Sequence, residues 1–527
     1  MKNKIRNFII NLKIPAAFLL LCILVICIFG GVNDIGRAGI ISAYMSLVMT
    51  VIVAVSAIIF ICRKEKLKFC TAENCNLISL TAGVMLRLFY ILYTDGFTRQ
   101  HDEGSFDVGI GHYGYMKYIY DHNALPDTDP RDAWQFYHPP LHHATEALWF
   151  KILSAFGVPE DKFYDYAQYP VFIYSCVIMF TIYCIFRELD LKGKGLLAAT
   201  ALICFSPSFI LMTGSVNNDM LSIMFICLAV LYTIKWYKNP EAENIIGIAL
   251  SIGLGMMTKA SVGLIAPSVA IVFVVKFVQQ IKKKKIGSYI FQYIMFAVIC
   301  VPPGLWWSVR NYTKFRLPFN YIAEINIEGN AQYLGEMDTL KRFTDFSLYQ
   351  FKSVFVQWLW DDDKYQEFNP LIAFFKTLCF DEKNFLNWNS KLDTAPVILF
   401  WSSVIIGIIS VIAMIYVIFS RKSSCPMLMK IFLSAIFITF FGNYIVFCIK
   451  YPFTCTMNIR YVTPVFIPAA YFTGAAVENI SKSAKKSAAI LEILILSVVM
   501  TFCSSTAFVY TALACIQLPV TQKKFYD

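Results

Sequence analysis

The sequence predicts an all-α integral membrane protein of about thirteen transmembrane helices, and three features of its 527 residues carry that expectation. Hydrophobic residues make up 57% of the chain and charged residues only 15%, well below the charge share of a soluble domain. The apolar residues come in blocks of about 20, the length a helix needs to cross about 30 Å of hydrocarbon. Lysine and arginine gather at the ends of alternate blocks, the bias of cytoplasmic loops, so the formal charge of +11 reflects topology and not nucleic-acid affinity.

Taken in order, spans are expected at 14–32, 39–62, 75–94, 166–187, 194–213, 218–236, 244–258, 261–280, 287–307, 395–420, 427–449, 461–478 and 487–515. One orientation satisfies every short loop. With the N-terminus inside, the inside segments are 1–13, Arg63 to Lys68, Arg187 to Lys194, Lys235 to Lys238, Lys282 to Lys285, Arg421 with Lys422, and Lys482 to Lys486, all basic. The C-terminus then lies outside. The stretch Leu141 to Phe156 holds His142, His143, Glu146 and Lys151, and suits a helix lying in the interface better than a span. The run from Ile14 to Gly31 is long and has no A-x-A cleavage site, so it is expected to be a first span and not a signal peptide. The sixteen cysteines show no paired CxxC spacing and mostly sit inside apolar blocks as small hydrophobes. No nucleotide-binding glycine motif is present.

Two outside segments are long, 95–165 and 308–394, and loops of that length usually carry function. All six histidines, His101, His112, His122, His138, His142 and His143, fall in the first of them, among Asp102, Glu103, Asp107, Asp121, Asp127, Asp129, Asp132 and Glu146. Such a cluster can supply a general base, bind a divalent metal, or steady an anion; the plain alternative is a solvated polar loop. His101-Asp102-Glu103-Gly104 stands directly after a span, at headgroup depth, and His138-Pro139-Pro140-Leu141 stiffens the entry to the interfacial helix. Asp102, Glu103 and Asp219 are the acids available to a metal. Arg87 is a charge inside an apolar span, where a functional role is the default expectation. In the second long segment, Trp358, Trp360 and Asp361 to Asp363 pair aromatic rings with acids, as a sugar-binding surface does and as a membrane interface also does.

An acidic pair just past a transmembrane helix, followed by H-P-P-L, resembles the GT-C glycosyltransferases, specifically the protein O-mannosyltransferase and aminoarabinose lipid A transferase group. Val216-Asn217-Asn218-Asp219, Thr258-Lys259, Trp306-Trp307-Ser308-Val309-Arg310-Asn311-Tyr312 and Arg460-Tyr461-Val462-Thr463-Pro464 fit the same resemblance, over roughly residues 75–478. It implies a GT-C-type fold and an enzyme that moves a sugar, with inversion, from a polyprenyl-phosphate carrier to an acceptor hydroxyl of a lipid, glycan or protein at the outer face. Asp102 would be the general base, with Glu103 beside it. Arg310, Arg460, Lys259, His138 and Arg87 are the candidate clamp for the phosphate leaving group. Asp219, His142 and His143 are further substrate-side candidates. The resemblance divides the chain into an extra N-terminal hairpin (1–72), a catalytic membrane module (73–307), an external segment (308–394) where the acceptor would be recognised, and C-terminal helices (395–527). Two features depart from the family pattern: the extra hairpin and the His142-His143 pair after Pro-Pro-Leu. No cofactor is required by this reading, a divalent metal is compatible with it, and a plasma membrane of bacterial type is the expected setting. The rival reading is a transporter or flippase, which would place its polar residues near the bilayer midplane.

Overall fold

A computed structural model describes residues 72–513 except 99, 283–285, 320, 324, 329, 331, 357–366, 383–393 and 421–422. The expected spans at 14–32 and 39–62 and the Trp358 to Asp363 patch lie outside the described residues. Among the described residues, fourteen helices of eleven residues or more carry the architecture: α1 (Ala72–Tyr93), α2 (Gly111–His122), α3 (Leu141–Ala155), α4 (Gln168–Glu188), α5 (Gly193–Cys204), α6 (Asp219–Lys238), α7 (Ala242–Met256), α8 (Ala266–Lys282), α9 (Ile286–Phe315), α10 (Pro370–Phe380), α11 (Thr394–Phe419), α12 (Met427–Lys450), α13 (Phe466–Ser481) and α14 (Lys486–Phe508). Among the described residues there is no strand, only isolated bridges at Ser105–Ile110 and Tyr333–Phe453. The helices α1, α4, α6, α8, α9, α11, α12 and α14 belong to apolar stretches long enough to cross a membrane. The protein is an all-helical, multi-pass membrane protein.

Each of the eleven spans expected within the described residues falls on a helix, with instructive differences in length. The span expected at 194–213 stops at Cys204 and restarts as a short helix, Pro207–Leu211. Pro207 has no N–H to donate, and its ring holds Ser206 extended at φ −64°, ψ 119°. The carbonyls stranded at the break are taken by Arg87, which donates to Cys204 O at 2.8 Å and Ile203 O at 3.2 Å, and also to Gly83 O and Ser175 Oγ. Helix α9 runs two turns beyond the expected end at 307, and α10 was not expected at all. The signal for α10 was local: Asn369 accepts from the Leu371 and Ile372 N–H groups as N-cap, and Pro370 occupies the first helical position.

The alternation of basic loops survives in space. Lys194 pairs with Glu492 at 2.6 Å, Lys238 with Glu188 at 3.1 Å, and the Lys192 N–H donates to Glu478 at 2.9 Å, which gathers the turns at 188–194, 238 and 478–492 at one end. The opposite ends converge around the first long connection. Gln100 donates to Gly214 O (2.6 Å) and accepts from Val216 N–H (2.8 Å), Leu141 N–H donates to Met257 O (3.0 Å), and the Trp307 indole donates to Tyr137 O (2.9 Å).

Helix α3 is amphipathic in reverse. It buries His142, His143 and Glu146 with Phe150 and Leu153, and turns Leu148, Ile152 and Phe156 outward at 59%, 41% and 83% exposure. That is the arrangement expected of a helix packed on protein with its apolar face toward lipid. Arg87 is, by its contacts, a helix-break clamp. Arg87→Met is expected to cost about 1–3 kcal/mol for each carbonyl left unsatisfied, read as a lowered melting temperature of the detergent-purified protein; an unaltered melting curve would show that the clamp is idle.

Candidate active site

The hairpin after α1 is built to present its acids. Gly104 (φ 62°) and Gly111 (φ 74°) close it, and a Cβ on Gly104 would lie 1.9 Å from Ile110 O, so only glycine fits there. The first N–H groups of α2, from His112 and Tyr113, donate to Asp102 O (3.0 Å) and Glu103 O (2.8 Å), which satisfies donors every helix start leaves open. Asp102 itself sits at φ 60°, in the left-handed region.

From this perch the Asp102 carboxylate meets Arg460, both terminal nitrogens of which stand 3.3 Å from Oδ2. Arg460 also lies 3.9 Å from Asp219 Oδ2, and Asp219 forms an ion pair with Lys259. Tyr461 completes the group: its hydroxyl accepts from Arg460 at 2.7 Å, and its ring lies under Arg460 (4.8 Å) and Lys259 (5.6 Å). Two acids and two cations from four distant stretches thus form one centre. The acids differ in access: Asp102 is 32% exposed and Asp219 only 4%. Asp102 can meet a second molecule, whereas Asp219 serves as the counter-ion that keeps Lys259 and Arg460 in place. The Glu103 side chain has no hydrogen-bonding partner among the described residues.

The remaining sequence candidates separate. His138, His112 and His143 stack in series with ring centroids 5.6 and 5.2 Å apart, and His112 Nδ1 lies 2.9 Å from His143 Nε2. Burial, reinforced by Lys259, holds the His138 pKa well below 6.5, so His138 is a neutral ring and no cation for a phosphate. His142 is lowered to about 3 by burial, and Glu146 is raised well above 4.5 for the same reason. Arg310 is committed elsewhere: it bonds Pro126 O, lies 3.5 Å from Asp127 and stacks over Trp307 at 4.5 Å. Arg87 is spent on the helix break described above.

Sequence reasoning missed three residues. Asp381 and Glu382, at the end of α10, close on His101: Nε2 lies 2.8 Å from Asp381 Oδ2 and Nδ1 3.8 Å from Glu382 Oε2. Asn458 donates to Asp381 Oδ1 and Glu382 Oε1, both at 2.7 Å, and its own oxygen accepts from the Arg460 N–H at 2.9 Å. An acidic pair ending a short apolar helix repeats the His101-Asp102-Glu103 pattern and was the available signal. Of the acids named for a metal, Asp102 and Asp219 are engaged by cations; among the described residues, the ligand-type group is His101, Asp381 and Glu382.

One cavity adjoins the centre and a second lies behind it. The first, a small one about the size of a single water, is lined by the polar side chains of His101, Asp219, Asp381, Asn458 and Arg460 among others. The second, a much larger apolar one of about 680 Å³, lies between α10, α11 and the Cys204–Pro207 break, lined by Phe374, Leu378, Trp401, Val404 and Phe466 among others. They share a wall: Thr377 faces the first and Leu378 the second, as do Ser208 and Ser206.

The described residues thus set an acid–cation centre at one end of a helical bundle, with an apolar space behind it. Residues 137–307 match the family model described as dolichyl-phosphate-mannose-protein mannosyltransferase. Among solved structures the chain is similar to ArnT from Cupriavidus metallidurans bound to undecaprenyl phosphate, at 13% identity over 84% of this chain and 77% of that one, with a TM-score of 0.46. It is also similar to the oligosaccharyltransferase AglB from Archaeoglobus fulgidus in complex with an inhibitory peptide and a dolichol-phosphate, at 11% identity over 82% of this chain and 56% of that one, with a TM-score of 0.45. No curated protein sequence matches the chain.

Burial of the His101 ring disfavours its charge, but Asp381, with Glu382 behind it, outweighs burial and Arg460 and holds the pKa above 6.5; Asp381 is correspondingly held below 3.8. The stabilisation from this contact is complete between those two ordinary values. It is lost as pH rises through the raised His101 pKa, and again as pH falls through the lowered Asp381 pKa. The melting-temperature gap between wild type and His101→Gln, measured in EDTA from about pH 5 to pH 9, is expected to be widest at the acid end and to narrow above neutrality. A gap that is flat with pH would mean that the imidazole charge contributes nothing.

Proposed function

We propose that the chain transfers a glycosyl group from a polyprenyl-phosphate carrier to an acceptor hydroxyl at the membrane face that carries the 95–165 connection, the outer face of a bacterial plasma membrane. The observation that carries this reading is the half-exposed Asp102 carboxylate beside Arg460, with Lys259 one residue away through Asp219, next to a small polar cavity that shares a wall with an apolar one.

The chemistry follows from those parts. A carboxylate at Asp102 takes the proton of the acceptor hydroxyl as its oxygen attacks the anomeric carbon. The new C–O bond forms as the bond to the phosphate oxygen breaks, and the electron pair leaves with the polyprenyl phosphate. A single displacement inverts the anomeric centre. The departing phosphate needs no proton when fixed cations face it, and Arg460 and Lys259 are already gathered and desolvated for that task. The carrier's chain lies in the apolar cavity, one helical wall from its head group. A lipid, glycan or protein hydroxyl would approach from the exposed side of Asp102. A transporter would instead need its polar groups along a path through the bilayer, whereas these lie at the helix ends.

Purified protein in liposomes, supplied with radiolabelled polyprenyl-phosphate sugars and candidate acceptors, is expected to release polyprenyl phosphate and label an acceptor. Asp102→Asn should lower turnover by about 10²–10⁴-fold while retaining donor binding, and Arg460→Gln should weaken both. Turnover of Asp102→Asn within a few-fold of wild type would remove the general base from this account.

A further inference from the structure

We infer that Tyr137 is a sugar-binding residue: with Tyr321 it forms an aromatic corner beside Asp102 that takes the glycosyl ring of the donor. The inference rests on the transfer reading above and assigns what that reading leaves open, the surface on which the sugar stands between base and clamp.

Tyr137 directly precedes His138-Pro139-Pro140-Leu141 and is fixed from several sides. Its carbonyl accepts from the Trp307 indole at 2.9 Å, and its ring packs on His138 with centroids 4.2 Å and planes 33° apart. His138 in turn stacks on His112, whose backbone N–H donates to Asp102 O. Four residues on from Tyr137, the Leu141 N–H donates to Met257 O, two positions before Lys259. The Tyr137 stretch is therefore held between the hairpin that presents the base and the turn that presents a cation.

Tyr321, from the connection after α9, meets Tyr137 with ring centroids 5.8 Å and planes 85° apart. Two half-buried rings at a right angle make a corner and not a closed stack, so ring surface stays open to a second molecule. The apolar C–H face of a pyranose packs on such a surface, while its rim of hydroxyls needs a hydrogen-bonding group beside it. The Tyr137 phenol is that group: its hydroxyl makes no hydrogen bond among the described residues. It feels the charge of Asp102 foremost, then that of Arg460, so it stands within reach of both ends of the reaction. Burial, with Asp102 behind it, holds its ionisation above the ordinary 10, which keeps it a neutral donor. The sugar is the one part of the substrates that meets both ends. Its anomeric carbon is bonded to the phosphate oxygen at Arg460 and Lys259 and is attacked by the hydroxyl held at Asp102.

The test titrates full-length protein in lipid nanodiscs, without acceptor, with undecaprenyl phosphate and with the same lipid carrying mannose, glucose or galactose on its phosphate. Tyr137→Leu is expected to weaken the best-bound glycosylated lipid at least about tenfold and the bare phosphate by no more than about twofold. Tyr137→Phe keeps the ring and loses the hydroxyl, and should weaken the glycosylated lipid by about three- to tenfold. In turnover both variants should raise KM for the donor and leave KM for the acceptor unchanged. Should Tyr137→Leu lose both lipids, Tyr137→Phe decides, and equal weakening of both lipids in that variant overturns the inference. A rise confined to the acceptor KM also overturns it. Normal binding of the glycosylated lipid by Tyr137→Leu, in protein that still transfers sugar, would sink this inference alone and leave the proposed function standing. Wild type that binds neither lipid would sink both.

Discussion

The guanidinium of Arg460 is the interaction on which the rest of the site depends. It reaches Asp102 in the first long connection and Asp219 at the head of α6, and its neighbour Asn458 grips the end of α10. Residues more than 350 positions apart in the chain are therefore registered against one planar cation. A buried guanidinium must have acceptors around it, which for Arg460 are carboxylates, and those carboxylates are held close to one another because the cation is there. Removing any member leaves an unpaired charge in a place with little water.

The bundle exists to bring those members to one level. Helices α1, α6, α7 and α13 each end or begin at the same face, while the basic turns with their Lys194–Glu492 and Lys238–Glu188 pairs anchor the other. The break in α5 is part of this arrangement. By ending the helix at Cys204 and starting again at Pro207, the chain shortens one wall, and both cavities open against it. Arg87 makes that break affordable to a segment surrounded by apolar side chains, which explains a charge in the middle of a span without assigning it to substrate.

Much of this was legible in the sequence because membrane solvent imposes simple rules. Block length located every described span, and the basic turns at 188–194, 238 and 478–492 meet at one end as lysine placement implied. Asp102, Asp219, Lys259 and Arg460 were named as one site from short motifs, and they meet. What could not be read is equally specific. Arg310 and Arg460 look alike in sequence, each flanking a span, but α9 overruns its expected end and carries Arg310 to Pro126 while Arg460 turns inward. His138 stands in a promising motif, yet burial strips it of charge, and no local pattern reports burial. Asp381 and Glu382 lie some 280 residues from His101, and only tertiary packing of a helix shorter than a span brings them there.

The reversed face of α3 has a consequence for where the Asp102 hairpin stands. Leu148, Ile152 and Phe156 face outward from the same element whose first residue is tethered to Met257 and whose inner side packs under α2. The hairpin bearing Asp102 is thus mounted on a float. Its height relative to the hydrocarbon is set by where those three side chains come to rest, so the thickness of the surrounding leaflet bears on where the Asp102 carboxylate stands.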